Sequence, residues 1–170
     1  MNEKYKKELI ILMPKLRRYC YALTNNKDQG DDLLHDSILK IMSKFTLLQI
    51  DNFQAYMYRL ISNTWKDQLR KKYVRNEISL EAENIQTNPA LSVDETQNLE
   101  TFSTKENLFE KINDLSEKLK ETLILVVVQK KSYKEAAEIL QVPIGTIMSR
   151  IHEARRILAQ EKQIHKEEIK

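Results

Sequence analysis

The chain has 170 residues, 28 Lys+Arg against 25 Asp+Glu and a formal net charge of +3, with three His, one Cys, two Gly and three Pro. That length holds one ordinary domain or two small ones. Cys20 alone forms no internal disulfide, and Gly30 and Gly145 are too few for a phosphate loop or a dinucleotide fingerprint. One Cys with three scattered His builds no structural zinc site, so no cofactor or metal is expected.

No apolar run approaches the roughly 18 residues that span a bilayer. The stretch from Leu9 to Met13 is too short for a signal peptide and lacks a small-residue cleavage site, so a cytoplasmic protein without membrane insertion is expected. Scarce Gly and Pro with abundant Leu, Ile, Lys and Glu predict an all-α fold.

The first predicted helix runs from about Asn2 to Leu23. Leu9, Leu12, Met13, Leu16, Tyr19, Cys20 and Leu23 recur at three-and-four spacing, and Pro14 implies a kink or restart. The second runs from near Asp28 to Phe45. Leu33, Leu34, Ile38, Ile41, Met42 and Phe45 form one stripe, with Asp31, Asp32, His35, Asp36 and Lys40 on the other face. Residues 46–51 form a loop, and Asp51 or Asn52 can cap the third helix. That helix, from Phe53 to about Tyr73, buries Phe53, Met57, Leu60, Ile61 and Leu69. It exposes Arg59, Ser62, Asn63, Lys66, Asp67 and Arg70 and runs into a basic stretch ending at Arg75. Tyr56, Tyr58, Trp65 and Tyr73 are interleaved. Cations that track a backbone beside aromatics that stack on bases suit single-stranded nucleic acid, although aromatics at helical spacing are also ordinary core.

Charge divides the chain into blocks of +7 (residues 1–76), −7 (77–114) and +3 (115–170). Residues 77–103 are acidic and polar with sparse apolar positions, which reads as a flexible linker between two small helical domains. Beyond it a short helix is expected over 108–113, then one capped by Ser116. That second helix carries a largely buried run of Leu119, Leu123, Ile124, Val126, Val127 and Val128. Ser132 and Glu135 have the spacing of a capping box on a helix that reaches Leu140. Residues 141–145 form a tight connection, and Thr146 opens a long helix from Ile147 to about Gln160. Ala136 and Ala137 allow close approach, Val142 fills the corner, and Pro143 and Gly145 suit the junction. This is a helix-turn-helix pattern. Its last helix buries Ile147, Ile151, Ala154, Ile157 and Leu158. It presents Thr146, Met148, Ser149, Arg150, His152, Glu153, Arg155 and Arg156, a face suited to base edges and phosphates in a major groove. Residues 160–170 read as a frayed charged tail.

The stretch from Ser132 to Ile151 resembles the promoter-reading helix-turn-helix of bacterial sigma-70 family initiation factors, in the short extracytoplasmic-function (ECF) subgroup. Residues 31–42 resemble that family's core-polymerase-binding helix, and residues 52–72 its promoter-melting helix. The three segments stand in family order, with a linker where the family has one. The resemblance implies a sigma region 2-like domain over 1–76, a linker over 77–103 and a sigma region 4-like domain over 104–170. It implies a transcription initiation factor, not an enzyme, that directs core RNA polymerase to promoters. By the same resemblance Asp32, His35, Asp36, Leu39 and Lys40 would dock on the clamp helices of the largest subunit. Arg59, Asn63, Lys66, Asp67, Arg70 and Lys71 would hold the minus-ten element, with the loop 46–52. Thr146, Met148, Ser149, Arg150, His152 and Arg155 would face the minus-thirty-five duplex. The implied partners are core polymerase, through clamp helices and flap, promoter DNA and an anti-sigma factor.

His35 stands where the family usually has Gln, Ile38 where it has an aromatic, and Met148 where Lys or Arg is common. Met makes no bidentate base contact, so the minus-thirty-five sequence is not inherited from relatives. A stand-alone helix-turn-helix regulator is the alternative. No carboxylate cluster sits beside a nucleophile or metal loop, which argues against an enzyme.

Overall fold

The computed structural model describes residues 3–44, 50–74 and 112–167. The expected linker over 77–103, Phe45, Arg75 and most of the short helix over 108–113 lie outside the described residues. The described residues are mostly helical, with no strand among them. The chain divides into two units, Met1–Leu91 and Ser92–Lys170.

In the first unit, α1 (Glu3–Thr24), α2 (Lys27–Lys44) and α3 (Phe53–Val74) pack pairwise on one another. The α1 stripe turns inward as its spacing predicts, with Leu9, Leu12, Leu16, Tyr19, Cys20 and Leu23 buried. Pro14 lies on the exposed side, and the helix continues through it instead of restarting. Asn25 ends α1 in the left-handed region at φ 51°. Asn26 then opens α2, its side chain accepting from Gln29 N at 3.0 Å. This turn brings α2 back along α1, with Gly30 buried against Tyr21 and Thr24. Tyr5 fastens the entry to α3. Its hydroxyl donates to Ile50 O at 3.3 Å and accepts from Ile50 N at 3.0 Å, and its ring stacks on Phe53 at 5.2 Å. Asn52 caps α3 by accepting from Ala55 N at 3.0 Å.

In the second unit, α4 (Glu117–Leu123) runs into a π-helical turn, Ile124–Val128, followed by α5 (Tyr133–Leu140) and α6 (Ile144–Glu167). Both α4 and α5 pack on α6. Ser116 holds the N-cap position of α4, but its side chain makes no cap hydrogen bond. The capping box of α5 is complete. Ser132 Oγ accepts from Glu135 N at 3.2 Å, and the Glu135 carboxylate accepts from Ser132 N at 2.8 Å. The expected buried run holds only through Leu125: Val126 and Val128 are half-buried and Val127 is 53% exposed. The π turn is the reason: Gln129 N reaches Ile124 O, five residues back, so one extra residue per turn rotates Val127 outward.

The connection into α6 also differs from expectation. Gln141, not a glycine, takes the left-handed position that ends α5, at φ 55°. The last helix begins at Ile144, so Gly145 sits inside its first turn with no atom near where a Cβ would stand. The helix runs on to Glu167 where a frayed tail was expected.

Candidate nucleic-acid and protein interfaces

The first candidate face lies on α2. Leu33, Leu34 and Ile41 turn into the core, which leaves Asp32, His35, Asp36, Leu39 and Lys40 exposed along one stripe. Met42, expected in the core, is 53% exposed and extends this stripe beside Leu39 at 52%. Its spacing three residues after Leu39 was the signal that sequence reading missed. Asp31 leaves the face: its carboxylate accepts from Tyr21 Oη at 2.9 Å and pairs with Arg17 Nε at 3.1 Å. Burial and the bond to Asp31 hold the Tyr21 phenol above its ordinary range. Two side chains tie the edge of the face to α3. Asp36 accepts from Gln68 Nε2 at 3.1 Å, and Lys40 Nζ donates to Thr64 Oγ1 at 3.1 Å. The result is an acidic helix face with an apolar centre, suited to a basic protein partner.

The second face lies on α3. Asn63, Asp67, Arg70 and Lys71 are exposed, and Arg70 lies 3.5 Å from Asp67. Lys66 and Arg59 are half-buried, with Lys66 Nζ donating to Ser62 Oγ at 3.0 Å. Ser62, expected to be exposed, is buried. The interleaved aromatics divide between the two readings. Tyr58 is fully buried, edge-on to Tyr19 at 5.0 Å, and Trp65 is buried too. Their rings fill the three-helix core and offer no face to a base. Tyr56 is half-buried, and Tyr73, beside Lys71 and Lys72, is exposed. Of the expected loop, Ile50 to Asn52 lead into the N-terminus of α3, and residues 46–49 lie outside the described residues.

The third face lies on α6. Ile147, Ile151 and Ala154 are buried, with Ile157 and Leu158 half-buried. Met148, Ser149, His152, Arg155 and Arg156 are exposed, and Thr146 and Arg150 are half-buried. Arg150, Arg155 and Arg156 form no ion pair among the described residues. Ser149 donates back to Thr146 O at 3.0 Å, so its hydroxyl proton is engaged within the helix while the oxygen can still accept. Three cations on a helix that opens from a tight turn can meet phosphates and base edges together. Among the described residues no cluster of three or more His, Cys, Asp or Glu could hold a metal, and no helix is long and apolar enough to cross a membrane.

Two sequence profiles match. Sigma-70 region 2 covers residues 11–74, and Sigma-70, region 4 covers residues 105–158. The chain is 31% identical over 136 residues to the ECF RNA polymerase sigma-E factor of Salmonella typhimurium, covering 75% of this chain and 70% of the relative. It is 26% identical over 160 residues to the ECF RNA polymerase sigma factor SigW of Bacillus subtilis, covering 87% and 83%. Among solved structures it is similar to the sigma factor RpoE of Bartonella quintana in complex with the anti-sigma factor NepR. The TM-score is 0.75 at 26% identity, covering 95% of this chain and 98% of that one. With both profiles in family order on the two helical units, the chain belongs to the ECF group of sigma-70 family RNA polymerase sigma factors and is a transcription initiation factor.

Proposed function

We propose that the three faces divide the work of initiation. The α2 face of Asp32, His35, Asp36, Leu39 and Met42 docks on the clamp helices of the polymerase largest subunit. Acidic side chains orient the encounter, and Leu39 and Met42 supply the dry centre. The exposed stripe of Asn63, Asp67, Arg70 and Lys71 on α3, bordered by Arg59 and Lys66, holds the minus-ten element. There Arg70 and Lys71 meet the backbone of the separated strand and Asn63 and Asp67 meet a base turned out of the stack. With Tyr58 and Trp65 committed to the core, Tyr73 is the exposed aromatic of α3 available to stack. The α6 face of Thr146, Met148, Ser149, Arg150, His152 and Arg155 reads the minus-thirty-five duplex, with Met148 offering van der Waals contact to a thymine methyl where a cation would seek guanine.

On this reading residues 1–76 dock and melt, residues 104–170 read the upstream duplex, 77–103 join them through the polymerase, and the polymerase flap is a further contact of the chain. The protein works in the cytoplasm, and an anti-sigma factor of the kind bound to the similar Bartonella structure fits it as an inhibitor. The observation that carries this reading is the acidic, apolar-centred α2 face held outside the core.

Gel filtration with core RNA polymerase from the host tests it. Co-elution at equal stoichiometry is expected. Separate elution of folded protein and active polymerase would transfer the function to a stand-alone duplex-binding regulator.

A further inference from the structure

The outer face of α1 takes no part in these roles. Its core stripe centres on Leu9, Leu12 and Leu16, and the side directly opposite carries Ile10, Ile11 and Pro14. Ile10 and Ile11 are 64% and 74% exposed. Two adjacent β-branched residues on the solvent side of a helix gain nothing from helix propensity or from burial there. Lys7 lies one turn before them and Arg18 two turns after; both are exposed, and neither forms an ion pair among the described residues. Beyond the isoleucines Met13, Pro14, Arg17, Arg18 and Tyr21 line an open hollow of about 300 Å³. Arg17 is engaged by Asp31, so Arg18 is the cation that the hollow presents. The carboxylates of this half of α1 are Glu3, in the first turn, and half-buried Glu8.

We propose that this face docks an acidic amphipathic helix of a partner protein. Apolar side chains at i, i+3 or i+4 and i+7 of that helix cover Ile10 and Ile11 and enter the hollow over Pro14, and its flanking carboxylates pair with Lys7 and Arg18. A phosphate backbone fits less well, because it pairs with the cations but gains nothing from covering the isoleucines. The basic surface that suits α2 is wrong here, because the two helices carry opposite charge, so the α1 partner is distinct from the clamp helices. The proposal therefore does not rest on the α2 reading.

The probe is a fluorescein-labelled helical peptide with Leu along one face and Glu on its flanks, titrated with the full chain. Saturable anisotropy that weakens with salt is expected, with chemical-shift changes centred on the Ile10 and Ile11 methyl groups. The same peptide with Lys for Glu should not bind. Ile11→Glu and the milder Ile11→Ser should weaken binding, by about tenfold or more for the charged variant, with the melting temperature unchanged because the side chain is exposed. No saturation, unchanged binding by both variants, or shifts centred on Leu39 and Met42 would overturn the proposal. So would two other results. Shifts of the Ile10 and Ile11 methyls with a DNA oligonucleotide would assign the face to nucleic acid. Self-association in sedimentation that Ile11→Glu abolishes would assign it to a second copy, whose α2 is itself acidic and apolar-centred.

Discussion

Cys20 shows how far burial governs a single side chain. It is fully buried, and burial, with the nearby Asp31 charge, pushes its thiol up to about 12. The thiolate is the reactive form, so the native protein should resist iodoacetamide at mildly alkaline pH and label only on unfolding. Rapid labelling without loss of helicity would show that α1 opens locally. Glu135 is the opposite case. The Ser132 backbone N–H, the Ser132 hydroxyl and Lys131 hold its carboxyl down at about 2 against an ordinary 4.5. A carboxyl lowered by folding stabilises fully above its unfolded value. That stability is lost as pH falls from about 4.5 towards 2. The side chain is about half exposed, so solvent screening keeps the contribution below about 1 kcal/mol. Glu135→Gln should flatten the acid limb of the second unit's melting curve, and calorimetry between those pH values checks it.

At the scale of elements, the α1–α2 pair depends on one close approach. A Cβ on Gly30 would run into the Tyr21 ring, with Tyr21 Cε1 at 3.1 Å and Thr24 Oγ1 at 3.2 Å. The Tyr21 hydroxyl is fastened to Asp31, so the ring cannot turn aside without losing that bond. Gly30→Ala should therefore cost about 1–3 kcal/mol, read from urea unfolding, despite the better helix propensity of alanine. An unchanged midpoint would mean that the ring moves freely. The same pair sets the exposed stripe of α2. Once Asp31 is drawn to Arg17 and Tyr21, Asp32, Asp36 and Leu39 are left outward.

At the scale of the molecule, the proposed division puts polymerase docking and duplex reading on different units, so lesions in them should separate. Asp36→Arg should abolish co-elution with polymerase and leave helicity and duplex binding intact. Arg155→Ala should leave co-elution intact and weaken promoter-duplex binding by about 1–3 kcal/mol if it reads a base. A uniform loss across duplex sequences would place Arg155 on a phosphate instead. Independent sites add, so the double variant should show both defects with no further coupling.

The features legible in the chain alone are local or periodic. The capping box of Ser132 and Glu135 joins residues three apart, and the inward stripe from Leu9 to Leu23 is a three-and-four repeat. The all-helical fold and the three matching segments were legible for the same reason, because composition and segment order are properties of the chain itself. The rotational phase of each helix, by contrast, was set by tertiary packing. Each residue turns a helix by about 100°, so a boundary residue is assigned to core or solvent by the neighbouring helix, not by its own chemistry. Tyr58 went inward against Tyr19 of α1, Ser62 and Trp65 are buried on the same helix, and Met42 is left outward while Leu33, Leu34 and Ile41 are buried. Val127 was displaced by a π turn that no periodic template contains, and Lys120 and Glu121 are buried despite their charge. The left-handed junction at Gln141 is of the same kind: glycine is the local preference there, and the packing of α5 and α6 sets the backbone regardless of it.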